Sequence, residues 1–147
     1  MTSVNLIADL KRDEGLKLGA YPDPLTHAAP WTIGYGHTGP EVHPGLSWTQ
    51  AQAQTALQAD IDRACRALDE ALPWWRNLDD LRQDVLANMT FNMGIGKLEG
   101  FHNTLAAIKA SQWARAAAEM LDSAWARQVG ERAERLAKQM LTGAHQA

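Results

Sequence analysis

A chain of 147 residues suits one domain, or two small lobes about a shared core. With 46% hydrophobic residues and a formal charge of −3, it reads as a packed globule, and the charge argues against a dedicated nucleic-acid binder, which would be basic. The single cysteine, Cys65, excludes an intramolecular disulfide, fits a reducing compartment and is expected as a small buried apolar residue. No run approaches the ~18 apolar residues of a membrane span. The first residues, with Asp9 among them, lack the apolar region of a signal peptide.

In chain order, Thr2 or Ser3 is expected to cap a first helix whose Val4, Ile7 and Leu10 share a face, with Gly15 as its stop. Residues 16 to 46 carry five prolines and five glycines, which break helical periodicity. Trp31 to Tyr35 has strand-like content, so a small irregular sheet of two or three strands is expected there. Ser47-Trp48-Thr49-Gln50 reads as a capping box that starts a long helix to about Glu70, with Leu57, Ile61, Ala64 and Leu68 as its apolar stripe. Pro73 ends it. A helix from about Asp79 to Met93 carries Leu81, Val85, Met89 and Met93, and Gly94 and Gly96 then break the chain. Phe101 leads into a short helix with Leu105 and Ile108; Gln112–Leu121 and Glu131–Leu141 complete a helical lobe.

The fold class that follows is α+β and mostly α. A small antiparallel sheet lobe spans about 14–46 and a connecting helix about 47–70. A helical lobe of about 71–143 takes in the first helix, about 3–13, all within one domain of residues 1–147. A cleft between the two lobes is the expected ligand site.

Glu14 falls at the end of the first helix, Asp23 in the turn Pro22-Asp23-Pro24, and Thr32 in the strand-like run that continues Ile33-Gly34-Tyr35-Gly36-His37. Two carboxylates and a hydroxyl in one short segment are what glycoside hydrolysis asks for. One carboxylic acid protonates the leaving oxygen while a second carboxylate acts on the opposite face of the sugar. Taken alone, each has a plain structural reading: Glu14 as an exposed helix-end carboxylate, Asp23 as a turn aspartate.

The motifs Asp13-Glu14-Gly15-Leu16-Lys17-Leu18, Tyr21, Asp23 and Thr32-Ile33-Gly34-Tyr35-Gly36-His37-Thr38-Gly39 resemble the phage-type lysozymes, the endolysins of T-even and lambdoid phages. So do Asn88-Met89-Thr90-Phe91-Asn92-Met93-Gly94, Gly100-Phe101-His102-Asn103-Thr104-Leu105, Trp113, Trp125 and Gly130 to Arg135. The resemblance covers roughly Val4 to Gly143. It implies a lysozyme-like two-lobed fold and hydrolysis of the β-1,4 bond between N-acetylmuramic acid and N-acetylglucosamine in peptidoglycan. Glu14 is then the proton donor, Asp23 and Thr32 hold or activate water, and Arg132 pairs with the catalytic glutamate. No cofactor and no metal is called for. A monomeric state, export through a holin-like pore and action on the cell wall in the periplasm complete the implied picture, with no stable membrane insertion.

One departure from the family pattern stands out. Eight residues separate Asp23 from Thr32, where the family has five. An insertion at a hairpin tip would leave Thr32 on its strand; the alternative gives Thr26 or His27 a place in the site. His37 is expected as a structural histidine tying its strand to the first helix, with an orienting role as the functional reading. Tyr35 and Trp31 stand between sugar contact and strand packing, and Asn92 is a candidate substrate contact beside Phe91. Trp74, Trp75, Trp113 and Trp125 are expected in the core. Arg127, Arg132, Arg135 and Lys138 read as a solvated helix face, or as a local attraction for an anionic polymer.

Overall fold

The computed structural model describes residues 3–147. By internal contacts the chain divides into two compact units, Val4–Arg63 and Ala64–Ala147, with Ser3 counted in the second. The mostly helical α+β class expected from the sequence is what the structure has: eight α-helices and one three-stranded antiparallel sheet among the described residues.

In the first unit, α1 (Val4–Glu14) buries Leu6, Asp9 and Leu10. The expected face was wrong at one end. Val4 is 81% exposed, and the inward stripe runs Leu6–Leu10, an i, i+4 pair. Thr2 lies outside the described residues; the Ser3 hydroxyl donates to Asp84 Oδ2 at 2.6 Å. Gly15 closes the helix as expected, at φ 69°, with its N–H donating to the Lys11 carbonyl at 2.9 Å.

The strands β1 (Lys17–Tyr21), β2 (Thr32–Gly34) and β3 (His37–Thr38) lie in the order β1-β2-β3, all antiparallel. The outer edge of β1 is covered by the segment before the next helix: Ala20 N–H donates to the Leu46 carbonyl, Trp48 N–H to the Leu18 carbonyl, and Gly19 bridges Ser47. That bridge displaces the expected capping box by two residues. The helix α2 (Gln50–Ala71) is capped by Thr49, whose hydroxyl accepts from Gln52 N–H at 3.2 Å while the Gln52 side chain accepts from Thr49 N–H at 2.8 Å. Leu57, Ile61, Ala64 and Leu68 are buried, as their spacing predicted. The sequence reading grouped the first helix with the helical lobe. By internal contacts α1 groups instead with the sheet, where the Glu14 side chain abuts Gly36 and the Lys11 ammonium lies 5.5 Å from the Tyr35 ring centre.

In the second unit a short 3-10 helix, Pro73–Asn77, follows the end of α2. Its Trp75 is fully buried and donates through Nε1 to Asp69 Oδ1 at 2.8 Å. Asp79 caps α3 (Asp80–Met93), accepting from Arg82 N–H at 3.1 Å. Residues 84 to 90 of α3 are buried without a break, so this helix is enclosed rather than amphipathic. Two short helices escaped the sequence reading, α4 (Ile95–Glu99), which contains the supposed breaker Gly96, and α7 (Ala124–Val129). Each has five or six residues, too few for a period to register. The others, α5 (His102–Lys109), α6 (Trp113–Leu121) and α8 (Glu131–Thr142), fall where expected. The core forms where α6 packs on α5 and α8, and α3 on α8. Trp75 and Trp125 join it; Trp74 and Trp113 are only half-buried, and so is Cys65. Trp113 instead lends its ring to the Arg82 guanidinium, 3.9 Å from the ring centre.

Candidate active site

The three residues singled out for chemistry lie in the Val4–Arg63 unit, on three consecutive pieces of chain. Glu14 is the last residue of α1 and is half-buried. Its carboxyl group rests against Gly36, which sits at φ 72°, and a Cβ there would come within 2.9 Å of the Glu14 carboxyl carbon. Glycine is needed at this position twice over, for the backbone conformation and for the close approach. The β2–β3 turn thus forms a wall for the carboxylate.

Asp23 closes the start of the loop between β1 and β2. Its Oδ1 accepts from Leu25 N–H at 2.7 Å, its own N–H donates to the Ala28 carbonyl at 3.0 Å, and its carbonyl accepts from His27 N–H at 2.8 Å. The turn reading of this residue therefore holds, and the hydrogen bonds fix where its carboxylate starts from. Thr26 spends its hydroxyl on the same turn, accepting from Ala28 N–H at 3.3 Å, and both Thr26 and His27 are exposed.

Thr32 is the first residue of β2 and is half-buried. The residue across the ladder from it is Tyr21, the last of β1. The longer connection is absorbed between these two positions, in the turns of residues 22–31, which are exposed from 24 to 30, and Thr32 stays on its strand. The β1–β2 register shifts between the Lys17–Gly34 pair and the Tyr21–Thr32 pair, which marks a bulge. The Tyr21 phenol keeps its proton to higher pH than usual, first because burial disfavours the phenolate and second because Glu14 is negative. A hydrogen bond with the Thr32 side chain works in the opposite direction. Tyr21 is therefore the residue that feels both the carboxylate and the hydroxyl, and sequence reasoning passed over it except as part of a motif. The available signal was its position at the strand end, two residues before Asp23.

His37 ties its strand to α2, not to α1 as expected. Nδ1 lies 2.7 Å from Asp60 Oδ2, and Nε2 hydrogen-bonds Glu41. Burial acts against the charged ring, yet the hydrogen bonds and charges of Glu41 and Asp60 outweigh it and raise the His37 pKa above its usual value. Glu41, bonded to His37, is held below the usual carboxylate value. Tyr35 is 6% exposed, so its ring packs in the interior; Trp31 is half-buried.

In the Ala64–Ala147 unit, Arg132 is buried on α8, against the expectation of a solvated basic face. Its Nε donates to Asn88 Oδ1 of α3 at 3.0 Å. Asn92 Oδ1 accepts from Trp125 Nε1 at 2.7 Å and lines a cavity of about 490 Å³ with Phe101, Trp125, Lys97 and Gln128.

The phage lysozyme family matches residues 11–140, from the last turn of α1 to the last turn of α8. The chain belongs to this family. At 34% identity, 91% of the chain is similar to 27% of the pre-baseplate central spike protein Gp5 of Enterobacteria phage T4. At 29% identity, 91% of it is similar to 92% of a probable T4-type lysozyme of Dictyostelium discoideum. An endolysin of Bacillus phage B103 is 31% identical over 80% of the chain and 42% of its own length. The chain thus spans about a quarter of the spike protein and less than half of that endolysin, but nearly all of the Dictyostelium protein. No helix among the described residues is long and apolar enough to cross a membrane.

Proposed function

We propose that this chain is a lysozyme of endolysin type, a glycoside hydrolase that cleaves the β-1,4 bond between N-acetylmuramic acid and N-acetylglucosamine in peptidoglycan and so lyses bacterial cells. The observation that carries this reading is the arrangement within one unit: a carboxylate seated against Gly36, a second at the mouth of the β1–β2 loop, and Thr32 held on the β1–β2 ladder just past that loop. Glu14 protonates the glycosidic oxygen as an oxocarbenium-like transition state develops. Asp23, with Thr32, directs a water to the opposite face, which inverts the anomeric centre. Asn92 is proposed as a substrate contact and Arg132 as an orienting charge. The enzyme acts as a monomer on the cell wall in the periplasm, after synthesis in the host cytoplasm and release through a holin-like pore.

Glu14→Gln removes the proton donor while keeping the shape of the side chain. Clearing of permeabilised Gram-negative cells should be abolished with thermal unfolding unchanged; clearing at the original rate would overturn the assignment of the acid. Mass spectrometry of the digest separates hydrolysis from the transglycosylase route, since anhydro-muramic ends would replace reducing ends. Thr32→Ala should lower activity more than Thr26→Ala, because the Thr26 hydroxyl is engaged in its own turn. The opposite order would move the hydroxyl role into the loop. A pure wall-binding module would bind peptidoglycan and leave the glycan strands uncut in each of these assays.

A further inference from the structure

Thr32 alone does not explain how a freely rotating hydroxyl is aimed. A threonine hydroxyl carries one proton and two lone pairs, and to direct a water it must present the lone pairs. Its proton therefore needs a fixed acceptor on the other side. The side chain placed to provide one is that of Tyr21, opposite Thr32 across the β1–β2 ladder and half-buried at the strand end. Directly opposite side chains on one face of an antiparallel pair are close enough to interact. The bulge between Lys17 and Tyr21 sets this pairing, and the ten loop residues that follow do not disturb it, since both members belong to the ladder.

We infer that Tyr21 is a positioning residue for the hydrolytic water, its phenol oxygen accepting the Thr32 hydroxyl proton so that the Thr32 lone pairs face the water. This rests on the proposed roles of Glu14, Asp23 and Thr32. Burial and the Glu14 charge both keep the phenol protonated, so the oxygen accepts as a neutral group and does not compete with Asp23 as a base. The Thr32 interaction opposes them, as a hydroxyl donating to the phenol oxygen would. The water then donates one hydrogen to Thr32 and the other to Asp23. Both of its lone pairs stay free, and one is turned toward the anomeric carbon, a preorganised approach geometry. No bond to Tyr21 forms or breaks during the reaction.

Turnover of soluble peptidoglycan glycan strands tests this in a double-mutant cycle. Tyr21→Phe should lower kcat about tenfold, the effect of one orienting hydrogen bond, with KM unchanged. In the Thr32→Ala background the same change should have no further effect, because the group it positions is gone. Full kcat in Tyr21→Phe overturns the inference, as does a loss that multiplies that of Thr32→Ala, or a loss confined to KM, which would make Tyr21 a substrate contact. Should Thr32→Ala itself keep full turnover, the hydroxyl assignment fails and Tyr21 falls with it. A defective Thr32→Ala beside an intact Tyr21→Phe removes only the role of Tyr21. If Tyr21→Phe fails to fold, replacing Tyr21 by a fluorotyrosine keeps the shape but weakens the oxygen as an acceptor, and kcat should still fall; an unchanged kcat overturns the inference.

Discussion

Among the described residues 29 apolar side chains are buried, eight of them in the 60 residues of Val4–Arg63 and twenty-one in the 84 residues of Ala64–Ala147. With so few apolar side chains inside, the first unit relies on individual polar contacts to place its functional groups. His37 sits between Asp60 and Glu41, Asp23 gathers its own loop, Thr49 and Gln52 cap each other, and the Glu14 carboxylate takes the space that a side chain at position 36 would fill. Hydrogen bonds of this kind add little net stability but fix side chains in direction, whereas apolar packing adds stability with less demand on direction. The two carboxylates and the hydroxyl thus sit in the unit with the thinner apolar core, where contacts of the directional kind set their positions.

The comparison breaks if core packing in the helical unit can be spared. Met89, fully buried in the enclosed stretch of α3, is the sharpest place to ask. Met89→Ala should cost about 2–5 kcal/mol of stability, the range for a large-to-small change that leaves a cavity, and should lower the unfolding midpoint without altering kcat of the folded fraction. Glu14→Gln should do the reverse. If Met89→Ala unfolds at the wild-type midpoint, the helical unit is not held by its core.

A smaller effect, but one with a pH signature, is expected from His37. Its folded pKa is raised, so its contribution is complete below the unfolded value of 6.5 and disappears as pH rises through the folded pKa. Glu41 has a lowered pKa, so its share is complete above its unfolded value of 4.5 and disappears as pH falls through the folded one. Asp60, which also bonds Arg63 at 3.1 Å, is the other charge facing the ring. The gap in unfolding midpoint between the wild type and His37→Asn should therefore be widest between 4.5 and 6.5, and should narrow toward both acid and alkali. A gap that keeps growing above neutrality would mean that the ring is held for its shape and not its charge.

Much of this was legible in the chain. The spacing of Leu57, Ile61, Ala64 and Leu68 predicted the buried stripe of α2, and the positive-φ glycine after Glu14 predicted where α1 stops, because both are local rules acting on neighbours along one helix. What escaped was set by distant chain. Arg132 reads as one of four basic residues on a wet face until α3 supplies Asn88 as its partner, 44 positions earlier. The partners of His37 are likewise fixed by the fold: α2 brings Asp60 to a ring whose sequence neighbours pointed to α1. Tyr21 gains its place from a bulge, and no periodicity reveals a bulge.

The start of α2 gives the smallest effect and the finest test of how directional contacts are set. The sequence reading places the box at Ser47 with Gln50, whereas the structure has Thr49 with Gln52, and propensity ranks serine and threonine closely at the cap. The choice falls to Thr49 because residues 46 to 48 are already committed to the edge of β1, with Trp48 N–H bonded to Leu18 and Ser47 bridged to Gly19. A residue paired in a sheet cannot also open a helix. Thr49→Ala should thus cost about 1 kcal/mol, the usual loss of a capping hydroxyl, while Ser47→Ala should cost a few tenths at most. Equal losses from the two, measured by urea unfolding, would mean that the helix shifts its start when one cap is removed. The sheet edge would then not be what decides the boundary.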